Sequence, residues 1–145
     1  IFPFCTSNSR GVGSCVTKAA AINEFWNSFG LKAFEENTLL DVDENGQEIK
    51  PEFPYITYQL VTDSFDREVA ATANIWYRTT GWKAINAKTE EISAHIGLGG
   101  KIIKCDGGRI WIKRGQPFAQ NMGDESDDLI KRKYLNLTFE FFTAN

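Results

Sequence analysis

Imidazole and thiol groups are scarce in this sequence: its 145 residues hold one histidine, His95, and three cysteines, Cys5, Cys15 and Cys105. Any serine- or cysteine-based triad must therefore use His95, and scattered thiols with one imidazole give no paired zinc spacing. No apolar run approaches the roughly 20 residues of a membrane-crossing helix. No repeat of fixed period and no low-complexity tract interrupts the chain. A dominant charge is missing as well. Sixteen basic against nineteen acidic side chains leave a formal net charge of −3, unlike the polycations that wrap nucleic acid. What is present is the composition of one globular domain, 42% hydrophobic and 24% charged. Aromatic residues reach 13%, enough for a core with some to spare for a contact surface.

Charge is unevenly placed along the chain. Residues 1–100 carry eight basic and thirteen acidic side chains, residues 101–145 eight and six. The stretch from Glu36 to Glu52 is acidic, with Lys50 its one base. Two solvated faces give this pattern; head-to-tail contact between copies would use it. Residues 1–16, IFPFCTSNSRGVGSCV, have neither the basic start nor the apolar centre of a signal peptide. They read as an irregular arm before a single domain, 17–145. A Cys5–Cys15 disulfide is conceivable, but the odd cysteine count favours free thiols.

Periodicity sets out the elements. Thr17 caps a helix to about Phe29, with Ile22, Phe25, Trp26 and Phe29 on one stripe and Gly30 at its end. Lys32–Leu40 reads as extended, and Asp43-Glu44-Asn45-Gly46 as a turn. Pro51 and Pro54 precede a strand, Tyr55–Val61, and Thr62–Arg67 forms a polar connection. Glu68–Thr79 is a longer strand with Val69, Ala71, Ala73, Ile75 and Tyr77 on one face. A second helix spans Trp82–Ile96, ended by Gly97, with Ile85, Ile92 and Ile96 inward. Lys101–Cys105 and Arg109–Lys113 flank the hairpin turn Asp106-Gly107-Gly108. Gly115–Asp128 reads as a polar loop. In the last strand, Tyr134–Phe142, Leu135, Leu137, Phe139 and Phe141 share one face, which fixes the register. The expectation is an α+β domain of order α-β-β-β-α-β-β-β, an antiparallel or mixed sheet of about six strands with both helices on one face.

Few side chains form chemical constellations. His95, near the end of the second helix, suits the helix dipole. Gly97-Leu98-Gly99-Gly100 leaves a helix and enters a strand, the reverse of a phosphate loop, and reads as a cap and turn. Asp63, Asp66 and Glu68, or Glu48 with Lys50, offer carboxylates of the kind metal-dependent hydrolases and nucleases use, in segments where acids are ordinarily solvated. Asp124, Glu125, Asp127 and Asp128 lack the ligand alternation of a calcium loop. Lys101, Lys104, Arg109, Lys113, Arg114, Lys131, Arg132 and Lys133 interleave with Trp111 and Tyr134, as on a single-strand-binding sheet. The aromatic spacing reads instead as core alternation. No metal, cofactor or catalytic group is expected.

The lead-in FPYITYQL at Phe53–Leu60, the strand EVAATANIWYR with the helix GWKAINAKTEEISAHI close behind it, the hairpin KIIKCDGGRIWIK and the closing YLNLTFEFF resemble the tail terminator (tail completion) proteins of long-tailed bacteriophages. The resemblance covers about residues 17–142. It implies a non-enzymatic virion protein forming a ring, usually hexameric, that caps the head-proximal end of the tail tube and joins it to the head. The implied partners are further copies of the chain, the tail tube protein, and a sheath or head-completion protein, with DNA passing through the lumen without specific binding. On this reading Asp124, Glu125, Asp127 and Asp128 face the lumen. Contacts between subunits involve positions 36, 37, 43 and 44 (Glu36, Asn37, Asp43, Glu44) and Lys131, Arg132 and Lys133. The alternatives are another head-tail connector or head-closure protein, or a small metal-dependent hydrolase using Asp63, Asp66 and Glu68.

Overall fold

The computed structural model describes residues 16–38, 44–47, 51–64, 67–124 and 126–144. Thr17 lies in extended backbone and accepts the Ala20 N–H, closing the first turn of α1, Lys18–Asn27. Gly30, at φ 81°, turns the chain into β1, Lys32–Glu35. β2, Tyr55–Tyr58, runs parallel to β1, and β3, Arg67–Arg78, antiparallel to β2. α2, Lys83–Ile96, stops at Gly97, which stands at φ 77°. β4, Lys101–Cys105, turns through Asp106-Gly107 into β5, Gly108–Gly123, and β6, Ile130–Thr143, closes the chain. The sheet order is β1-β2-β3-β6-β5-β4. This is the expected α+β fold and element order, with a mixed sheet.

Both helices cover one sheet face. From the strands, Ile56, Tyr58, Ala71, Ala73, Ile75, Ile110, Ile112, Leu135, Leu137, Phe139 and Phe141 point into one cluster with Ile22, Phe25, Trp26, Phe29, Ile85, Ile92 and Ile96 of the helical segments. The small side chains of Ala71 and Ala73 lie on this helix-covered face. α2 lies over β3, β5 and β6, while α1 touches both edge strands, β1 and β4, so the sheet curls round its helices. Among the described residues no helix is long and apolar enough to cross a membrane.

Four boundaries differ most from the sequence reading, the first being β2, which stops at Tyr58 rather than Val61. β1 stops at Glu35, because Glu36 and Asn37 turn, Asn37 at φ 62°; Leu39 and Leu40 lie outside the described residues. Residues 115–123 are not loop but the second half of β5, joined to the first by a register shift between Arg114 and Ala119. At that shift Gly115 runs close to β6, where a Cβ would sit 2.9 Å from the Asn136 carbonyl oxygen, and Asn136 Nδ2 donates to the Pro117 carbonyl at 3.0 Å. A side-chain hydrogen bond there joins the strands where regular pairing is interrupted. β6 in turn starts at Ile130, since the long β3 offers Trp76–Arg78 as partners for Ile130–Arg132.

Candidate functional site

The uncovered face of the sheet holds the side chains that the core parity leaves over. In β2 and β3 these are Tyr55 and Trp76, a cross-strand pair stacked with ring centroids 6.0 Å apart. Phe53 and Phe34 extend the cluster at 5.2 and 6.4 Å from Tyr55. The Arg132 guanidinium lies 5.4 Å over Trp76, and Trp76 Nε1 donates to Thr57 Oγ1 at 2.9 Å, which fixes the indole. Burial raises the Tyr55 phenol above its ordinary pKa. Planar aromatics held by an arginine are the composition of protein contact surfaces.

A second cluster lies toward β4. Trp111 stacks on Phe142 at 6.5 Å, and Lys113 Nζ sits 4.3 Å from the Trp111 ring. Lys113 also pairs with Glu140 at 3.2 Å and Glu68 at 3.3 Å. Desolvation pulls the Lys113 ammonium down, but its hydrogen bonds to the two carboxylates outweigh that and leave its pKa raised. Trp111 Nε1 donates to the Gly99 carbonyl at 2.8 Å. The close approach needs a glycine: a Cβ at Gly100 would lie 2.4 Å from Trp111 Nε1.

The core assignment of the basic-aromatic stretch is therefore corrected. Trp111 and Tyr134 pair with Glu140 and with Asn74 and Gln120, all on the helix-free side, because they fall at the parity opposite to Ile110, Ile112 and Leu135. Tyr55 and Trp76 went unassigned for the same reason. Reading the parity of β2 and β3 together finds them, since each is adjacent in sequence to a core residue, Ile56 and Ile75.

The other expected sites lie apart from one another. Asp124 accepts from the Ser126 hydroxyl and N–H, and Asp127 from the Leu129 N–H and Arg78. Those bonds hold both carboxyls below their ordinary values and shape the β5–β6 loop. Asp128 is exposed, and Glu125 lies outside the described residues. Glu36 is exposed and accepts from Asn74 Nδ2 at 3.4 Å; Asn37 brings no charge, Glu44 is exposed in its turn, and Asp43 lies outside the described residues. Lys131 and Arg132 are half-buried, whereas Lys133 is buried on the helix side and donates to Asn86 and Asn121. The Lys133 ammonium is thus engaged within the chain. His95 is exposed and packs against Phe25 and Phe29. Arg114 donates to Ser93.

The carboxylates weighed for hydrolysis do not assemble among the described residues. Asp63 Oδ1 accepts from its neighbour Ser64, Glu68 is held by Lys113, and Asp66, Glu48 and Lys50 lie outside the described residues. No group of three metal-ligating side chains forms among the described residues. Cys105 is a half-buried free thiol that burial pushes up in pKa; Cys5 and Cys15 lie outside the described residues. Comparison with protein-family models, with curated proteins and with solved structures gives no match.

Proposed function

We propose that the chain is a structural subunit that assembles with copies of itself into a ring at the head-proximal end of a phage or phage-like tail, ending tube assembly and joining tail to head. The observation that supports this reading is the helix-free sheet face, with its aromatic cluster Phe34-Tyr55-Trp76 clamped by Arg132. Such a face gains by burial against another copy. Exposed Glu36 and Glu44 on one copy then meet Lys131 and Arg132 on the next, a heterologous contact that closes into a ring. In this arrangement Asp124, Asp127 and Asp128 line the lumen and repel passing DNA. The tube protein, and a sheath or head-completion protein, bind the two rims. The site of action is the virion.

Light scattering after size exclusion, over a wide concentration range, tests the reading together with electron microscopy. Rings are expected for the native chain. Trp76→Ala combined with Arg132→Glu should disperse them while far-ultraviolet circular dichroism is retained. A native chain that stays monomeric at every concentration, or rings indifferent to the double substitution, overturns the proposal.

A further inference from the structure

Leu98 is the most exposed large apolar side chain among the described residues, at 97%. It stands in the turn between α2 and β4, and that turn is pinned on both sides. The Gly97 N–H donates to the Ser93 carbonyl at 2.9 Å and the Gly100 N–H to the Gly97 carbonyl at 3.3 Å, while Trp111 Nε1 holds the Gly99 carbonyl. A leucine carried into solvent on a held turn gives up little backbone freedom when a partner buries it. That is the property of an anchor residue at an interface.

Two grooves border α1. The one facing β4, about 470 Å³, is lined by Lys101 and Lys104 against a single acid, Glu24. The one facing β1, about 530 Å³, is lined by Ala19, Ala20, Ala33, Phe34 and Tyr58, with Glu35 as its one charged residue. Ala20, Asn23, Glu35 and Thr38 are exposed, so this second groove opens to solvent. Asn23 Nδ2 donates to the Tyr58 hydroxyl at 2.7 Å, which ties the helix wall to the buried tyrosine. Small apolar walls beside one carboxylate suit a branched aliphatic side chain that arrives with a cation.

Charge selects between the grooves. Lys101, three residues after Leu98, is exposed. At the β4-side groove of another copy it would meet that copy's Lys101 and Lys104; at the β1-side groove it meets Glu35. We infer that Leu98 of one copy seats in the α1–β1 groove of the next, with Lys101 against Glu35. The turn and the groove share no residue, so the contact is heterologous and joins copies head to tail. It rests on the self-assembly proposed above and gives the ring its direction.

The test uses the full chain and sedimentation velocity. Leu98→Asp should raise the dissociation constant of the assembly about thirtyfold or more, with the fold unchanged because the side chain is exposed. Ala20→Trp, at an exposed helix position whose indole would fill the groove, should do the same. Where each variant alone is monomeric, mixing them should give 1:1 dimers and nothing larger, since one supplies an intact groove and the other an intact Leu98. Glu35→Lys should weaken assembly, and adding Lys101→Glu to the same chain should restore it. Rings indifferent to Leu98→Asp and Ala20→Trp overturn this contact and leave the ring reading standing. So does the absence of a mixed dimer. Rings lost with Leu98→Asp but indifferent to Trp76→Ala with Arg132→Glu uphold the contact and remove the aromatic face from assembly. A native chain that is monomeric at every concentration removes both, and its sedimentation with anionic vesicles, lost in Leu98→Asp, would assign the leucine to a membrane surface instead.

Discussion

In β6, successive residues meet two different environments. Leu135, Leu137, Phe139 and Phe141 are at most 1% exposed beneath the helices, while Tyr134, Asn136, Thr138 and Glu140 are half-buried on the open side. The helix side is held by side-chain volume: interlocking branched and aromatic groups, with Trp26 stacked 6.2 Å from Tyr58 and Asn23 Nδ2 donating to the Tyr58 hydroxyl at 2.7 Å. On the open side, pairings dominate: Arg132 on Trp76, and Lys113 between Trp111, Glu68 and Glu140. The contrast separates what folds the chain from what the chain presents. Core substitutions act on stability, and open-face substitutions act first on association.

Adjacent substitutions in one strand break this comparison most directly. Phe139→Ala should cost about 3–5 kcal/mol, because a fully buried ring leaves a cavity that the two helices cannot collapse to fill. Thr138→Ala, one residue away and on the other face, should cost about 0.5 kcal/mol. Urea unfolding of both variants measures the difference. Equal losses would mean that the open face belongs to the core.

Parity explains how far the sequence could be read. The helix side was legible because period-2 and helical periodicities converge there: Ile56 and Tyr58, Ala71 to Ile75, Leu135 to Phe141, and the Ile22-Phe25-Trp26-Phe29 stripe all lie where their spacing places them. The second half of β5 was not legible. Gly115, Pro117, Gln120 and Asn121 carry loop chemistry, and only the pairing of Ala119–Gly123 with the distant Lys131–Leu135 segment makes this half strand, a tertiary effect that local propensity does not record. The open face was half legible. Aromatic spacing announced Trp111 and Tyr134 and read as core alternation, whereas their parity, opposite to that of Ile110, Ile112 and Leu135, puts them on the open side. The bond from the Ala33 N–H to Asn27 Oδ1 had no local signal, because it joins a helix end to a strand six residues on.

The β5–β6 loop sharpens the comparison through pH. Asp124 and Asp127 are held low by bonds to Ser126, Leu129 and Arg78. A carboxyl whose folded pKa is depressed stabilises the fold above its unfolded value, and loses that contribution as pH falls through the folded one. Acidification through and below the ordinary carboxylate range should therefore release the Ser126 and Leu129 amides, seen as faster exchange by NMR. The amides of Leu137 and Phe139 should stay protected. Asp127→Asn should remove the Leu129 part of the response. Simultaneous release of loop and sheet would show that the loop is part of the cooperative core.

The smallest effect is expected where the helix side breaks its own rule. Lys133 is a cation among inward positions of β6, 8% exposed, with its ammonium on Asn86 and Asn121 and 5.7 Å from the Trp82 ring. Desolvation holds its pKa below the ordinary lysine value. With the folded value below the unfolded one, the charge costs stability at neutral pH, and stability rises as pH climbs from the first value to the second. Lys133→Met keeps the length and packing of the stem, removes the buried charge, and frees two amides that are on exposed residues and can turn to water. The opposing terms should leave unfolding free energy within about 1 kcal/mol of the native chain at pH 7, and the alkaline rise should flatten. Chemical denaturation at pH 7 and near pH 10 reads both. A loss of about 3 kcal/mol or more would instead identify the Lys133-Asn86-Asn121 network as the bond that fastens the start of α2 to the end of the sheet.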